Sequence, residues 1–161
     1  MSRILKIALI LSVAVWALLG VTGNITDWAG TTGAVSATTS MATFEGAAEP
    51  WRATTSPAIV LGGAIFIVLG KALCSALCFT GAYRMWKARG LAAADFAASK
   101  KLALSGCGVA VLMLFSGWII IAETWFELWR SYALRDAALG SAFRYAGIIG
   151  LIALLVGAAE D

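Results

Sequence analysis

Four groups of side chains in this 161-residue chain could do chemistry. The first is one amine. Lys71 sits at the centre of Ser56 to Lys87, an apolar stretch about as long as a bilayer is thick. A helix rises about 1.5 Å per residue, so Lys71 lies roughly 20 Å from both Pro57 and Arg84. A charge near the midplane costs about 3 kcal/mol to insert, and such residues face protein, water or a partner. The roles open to it are a proton or ion relay, a ligand counter-ion, or a docking residue for another subunit. The plain alternative is an amine bonded to Ser75, Ser12 or Ser116. The second group is Glu123 and Glu127, one helical turn apart, with Arg130 three residues further on. Paired carboxylates can do acid–base work, but near an interface they more commonly form a salt-bridged face.

The third group is Cys74, Cys78 and Cys107, all within apolar segments. A disulfide framework needs an oxidising, loop-rich context, so these cysteines read as small apolar packing residues. No further ligands stand near Cys74 and Cys78 to complete a metal site. The fourth group brackets the one long polar stretch, 23–55. Asn24, Asp27 and Trp28 open it, and Trp51 and Arg52 close it. Asp27 and Arg52 are natural ion partners, which would tie the two ends of this segment into a cap. Asn24-Ile25-Thr26 also fits a glycosylation sequon. The chain has no histidine, which removes the usual haem and zinc ligand and the commonest general base. With no serine nucleophile motif, phosphate loop or CxxC, the expectation is a non-enzyme with no catalytic, metal or cofactor site.

The elements that hold these groups are membrane helices. Hydrophobic residues make up 61% of the chain and charged ones 13%, a surplus that a soluble core of this size could not absorb. The net charge of +3 is too small to indicate nucleic acid. The pattern predicts a single all-α domain: a polytopic bundle of four transmembrane helices at about 4–22, 56–84, 101–129 and 141–158, with a capped periplasmic loop over 23–55. Ser56-Pro57 starts the second helix, since proline suits a first turn. Gly70, Cys74, Cys78 and Ala82 recur along it every four residues, a small-residue ladder that admits another helix closely. Lys71 lies beside that ladder. Helix three should continue as an amphipathic stretch, with Trp118, Trp125 and Trp129 stepping along it.

Basic residues orient the chain. Arg3, Lys6, Arg84, Lys87, Arg89, Lys100 and Lys101 fall at one end of the four spans. Arg52, Arg130, Arg135 and Arg144 fall at the other. The positive-inside rule then places both termini on the cytoplasmic side and 23–55 outside.

The segments Asn24-Ile25-Thr26-Asp27-Trp28, Trp51-Arg52-Ala53 before Ser56-Pro57, Glu123-x-Trp125-Phe126 running to Trp129, and Ala142-Phe143-Arg144 share one order and spacing across nearly the whole chain. In these the chain resembles the bacterial family known as domain of unknown function 2165, small integral membrane proteins with no assigned activity. It departs from the family pattern at Ala37 and Ala42, beside Ser40-Met41, where a histidine and an aspartate are typical. Lys71 stands where the family often carries an acid.

Two functions fit. One is a non-catalytic accessory or scaffolding subunit, packed against other subunits of a larger respiratory or photosynthetic membrane complex. The other is a small transporter or channel-like protein that uses Lys71. The partners implied are the lipid bilayer and other membrane subunits. The candidate partner and structural residues are Lys71, Gly70, Cys74, Cys78, Glu123, Asn24, Asp27, Trp28, Trp51, Arg52, Trp125 and Trp129.

Overall fold

The computed structural model describes residues 1–44, 46 and 51–158, so Glu45, Glu49, Glu160 and Asp161 lie outside the described residues. The fold is all-helical, with four helices long and apolar enough to cross a membrane: Arg3–Thr26, Pro57–Ala88, Ala93–Trp125 and Arg135–Gly157. In chain order we label α1 (Arg3–Thr26), α2 (Trp28–Ser40), α3 (Pro57–Ala88), α4 (Ala93–Ser99), α5 (Lys101–Leu114) and α6 (Arg135–Gly157). A π-helical segment, Phe115–Trp125, continues α5, and a single 3₁₀ turn, Leu128–Arg130, precedes α6.

The polar stretch after the first span is mostly helix rather than loop. Asp27 both ends α1 and caps α2, its carboxylate accepting from the Gly30 backbone N–H at 2.9 Å. A side-chain oxygen there satisfies one of the orphan donors of a helix start. Two threonines of α2 hand their hydroxyls back to the carbonyls four residues earlier, Thr32 to Trp28 and Thr38 to Ala34, so the helix absorbs its own polar side chains. The other boundaries also move. α3 runs on to Ala88, and the connection after it contains the short helix α4. α6 begins at Arg135, six residues before the expected start at Ser141. The third span does not continue as α-helix to Trp129. It widens to π geometry at Phe115 and stops at Glu127, which sits in the left-handed region at φ 53°.

The spans alternate in direction. At one end Arg3 donates to the carbonyls of Arg89 and Leu91, while midway the Ser75 hydroxyl donates to the Ala14 carbonyl at 3.1 Å, so α1 and α3 run antiparallel. α3 and α5 meet along the small-residue ladder. Cys74, Cys78 and Ala82 are buried there, and a Cβ built on Gly81 would come within 2.6 Å of the Ala103 Cα. A Cβ on Gly70 would similarly strike the Met113 thioether at 2.6 Å. The ladder is therefore occupied by the chain's own α5 and is not open to a partner. α6 closes the bundle against α5 and α1, with Trp16 and Tyr145 rings 5.2 Å apart.

The end carrying Arg3, Lys6 and Lys100 is the basic end. Lys6 and Lys100 are both buried, and each donates to the Ala158 carbonyl at 3.3 Å. Cations there complement the negative end of the α6 dipole. The guanidinium of Arg3 and the amine of Lys100 also flank the buried ring of Phe96, which pins α4 under the bundle.

Candidate functional site

Lys71 points into the α1–α3 seam. Its amine donates to Oδ1 of Asn24 at 2.6 Å, and its aliphatic carbons cover Gly20. None of the serines foreseen as partners takes it. Asn24 is fixed in turn: its amide donates to the Thr31 hydroxyl at 2.9 Å, and that hydroxyl donates to the Asn24 carbonyl at 3.0 Å. A Cβ at Gly20 would come within 3.0 Å of the lysine stem, so the glycine leaves it room. The acceptor comes from the polar end of α1, two residues before that helix ends. Asn24 thus serves Lys71 and the α1–α2 junction rather than a cap with Trp51 and Arg52.

The expected Asp27–Arg52 pair is absent. Asp27 is the α2 cap, and Arg52 reaches across 75 residues to Glu127, Nη1 to Oε1 at 2.7 Å. The other carboxylate oxygen of Glu127 accepts from Arg130 at 2.9 Å. One acid therefore bridges two guanidiniums through charge-assisted hydrogen bonds, one to each oxygen. The Arg130 bond, with Arg52 alongside, holds the Glu127 carboxyl below the usual carboxylate range. The left-handed backbone at Glu127 is what turns its side chain back toward both partners.

Arg52 also packs against two indoles. Its guanidinium lies 4.8 Å from the Trp51 ring and 5.9 Å from the Trp125 ring, and the two indoles meet edge to face at 5.6 Å. Its Nη1 leans on the Trp125 carbonyl at 3.4 Å. The Nε of Arg52 is buried and has no acceptor among the described residues. Below this cluster, Met41, Phe44, Ala122, Phe126 and Leu128 form a small second core that seats the chain between α2 and α3 on the π segment. Thr43 and Ser131 share a hydrogen bond at 2.9 Å on the same side.

Beside that core a groove of about 290 Å³ opens between α2, α3 and the π segment, with Val35, Thr38, Gly62, Gly63, Phe66, Gly117 and Ala122 among its walls. Three glycines line it: Gly63 and Gly117 let Val35 and Phe66 approach closely, and Gly62 has open space where a Cβ would be. Sequence reasoning missed the groove, because its walls come from three segments far apart in the chain.

The remaining candidates separate. Glu123 is half-exposed on the π segment and makes no ion pair among the described residues, so it does not act with Glu127. Cys74, Cys78 and Cys107 are free and buried at the α3–α5 contact, with the Cys78 thiol 3.7 Å from the Ala103 carbonyl. No cluster of three or more potential metal ligands exists among the described residues. Trp28 and Trp129 are exposed at the cap end and, with Trp51 and Trp125, form an aromatic belt of the kind found at membrane interfaces.

Four apolar helices, polar groups closed inside the bundle and an aromatic belt define a polytopic membrane protein that spans the lipid bilayer. Residues 2–158 match the family model described as predicted small integral membrane protein (DUF2165), and the chain belongs to that family. Neither a curated protein nor a solved structure matches it.

Proposed function

We propose that this protein is a non-catalytic accessory or scaffolding subunit that packs against a larger membrane complex, respiratory or photosynthetic in kind. The observation that carries this reading is the capture of Lys71. The one cation deep in α3 is bonded to Asn24 of the same chain at 2.6 Å. It serves as a strut between α1 and α3. A relay needs a second titratable group within proton-transfer reach, and Asn24 is not titratable. The same closure favours a rigid frame over a conduit: the hydroxyl of Ser75 is bonded to Ala14, and Lys6 and Lys100 share Ala158.

The frame sits in a bacterial inner membrane with its basic end, and both termini, in the cytoplasm, and its cap end in the periplasm. Seven basic residues, Arg3, Lys6, Arg84, Lys87, Arg89, Lys100 and Lys101, against four, Arg52, Arg130, Arg135 and Arg144, support that orientation. A cysteine at the exposed position Ala42 should react with an impermeant thiol reagent in intact spheroplasts, and one at Ala92 should not; the opposite pattern inverts the topology.

Affinity purification in mild detergent tests the function. Other membrane subunits should co-purify in fixed ratio, and proteoliposomes of the protein alone should carry no ion or proton flux that Lys71→Met abolishes. A Lys71-dependent flux without co-purifying subunits would replace this reading with the transporter.

A further inference from the structure

The geometry points to a phospholipid site at the cap end: one acyl chain in the groove between α2, α3 and the π segment, and the lipid phosphate on Arg52. Two independent features converge there. The groove is apolar, has a volume of about 290 Å³, and lies within the outer turns of two spanning helices, at the depth of acyl chains. Its mouth is formed by Ile59, Phe66 and Ile121, all exposed, so it opens sideways toward lipid and not along the bundle axis. An amphiphile entering from the bilayer would bring its chain in without crossing a polar barrier.

The head end supplies the complementary chemistry. Phe126 is shared by the groove wall and the second core, and the next residue is Glu127, which holds Arg52. The Thr54 backbone N–H donates to the carbonyl of Thr39, a groove wall residue, at 2.8 Å, which ties the segment bearing Arg52 to the groove. Arg52 uses its Nη1 on Glu127 and Trp125, while its Nη2 makes no hydrogen bond among the described residues and a quarter of the side chain stays exposed. The free Nη2 donors can take a phosphodiester oxygen, a charged acceptor. The exposed indoles of Trp51 and Trp125 beside the guanidinium suit the glycerol and headgroup layer. The charge match selects an anionic headgroup. A phosphatidylcholine would carry its own ammonium to the guanidinium, whereas a phosphatidylglycerol carries none.

Full-length protein in detergent is titrated with phosphatidylglycerol or phosphatidylcholine of identical chains, and retained lipid is counted by native mass spectrometry. The wild type should retain phosphatidylglycerol about tenfold more tightly. Gly62→Leu fills the groove at a position where a Cβ meets nothing, and should weaken both lipids by about tenfold or more while helicity is unchanged. Ile59→Trp, at the exposed mouth, gives the same block without touching the core. Arg52→Lys keeps a cation but removes the free Nη2, and should erase the preference for phosphatidylglycerol while leaving chain binding. Equal retention of the two lipids by the wild type overturns the proposal. So does undiminished binding in both groove variants, or a second copy of the chain occupying the groove, seen as a dimer that Ile59→Trp dissociates.

Discussion

Asn24→Leu should destabilise the bundle far more in the wild type than in a Lys71→Met background. In the wild type the amine of Lys71 reaches Asn24 Oδ1 at 2.6 Å from a half-buried position in the α1–α3 seam. Removing the acceptor strands a cation among apolar helices. A hydrogen bond to a charged group is worth about 1.5–3 kcal/mol, and that range is the expected cost of Asn24→Leu. Lys71→Met strands only the neutral Asn24 oxygen and removes a charge that costs about 3 kcal/mol to hold at depth, so its net effect should be near zero. In the double variant neither orphan remains. The Asn24–Thr31 bond is lost in both backgrounds and cancels from the cycle. Reversible unfolding in mixed micelles, followed by helicity, should therefore give a coupling energy of at least about 1.5 kcal/mol. Additivity within about 0.5 kcal/mol would show that the pair does not act as a strut.

Two further outcomes follow from the geometry. Gly81→Ala should cost at least about 1–3 kcal/mol, because its Cβ is driven onto the backbone of Ala103; Gly62→Ala, with open space, should be neutral or slightly stabilising, and equal melting of the two would contradict the α3–α5 register. Glu127 titrates below the ordinary carboxylate range in the folded protein, so its ion pairs stabilise the fold above about pH 4.3 and that contribution is lost as pH falls through the lower folded value. The melting difference between wild type and Glu127→Gln should accordingly shrink on acidification, and a difference independent of pH would count against the Arg52–Glu127–Arg130 bridge.

The four spans were legible because a run of about 20 apolar residues has one physical solution in a chain so poor in charge. The ladder Gly70, Cys74, Cys78 and Ala82 was legible as a close-packing seam. Its occupant was not, since spacing says that a helix approaches and not which one. Residues 28–40 read as a polar loop because they carry no apolar period. Their helix is held by hydroxyls bonding backward and by Asp27, a cap whose signal was assigned to Arg52 instead. Glu127–Arg130, three residues apart, could be seen locally. Arg52–Glu127 and Lys71–Asn24 could not, because separations of 75 and 47 residues leave no trace in the pattern.

The groove arises from two irregularities that compensate each other. Had α1 continued straight past Thr26, it would have kept its contact with α3; the interruption at Asp27 starts a new helix, α2, whose small residues Gly30 and Gly33 give it a slim body. On the opposite wall, eleven residues of π-helix replace the α-helical course of the third span, with the Phe126 N–H bonding to the Ile121 carbonyl five residues back. π geometry is rare and usually limited to a single turn, frequently at functional sites. Here it turns Ala122 and Phe126 toward Met41 and brings Trp125 beneath Arg52. It also places Glu127 where one left-handed residue can end the helix and collect two arginines. The widened helix is thus held in place from above by the Glu127 bridge, and the space it leaves below is the apolar groove.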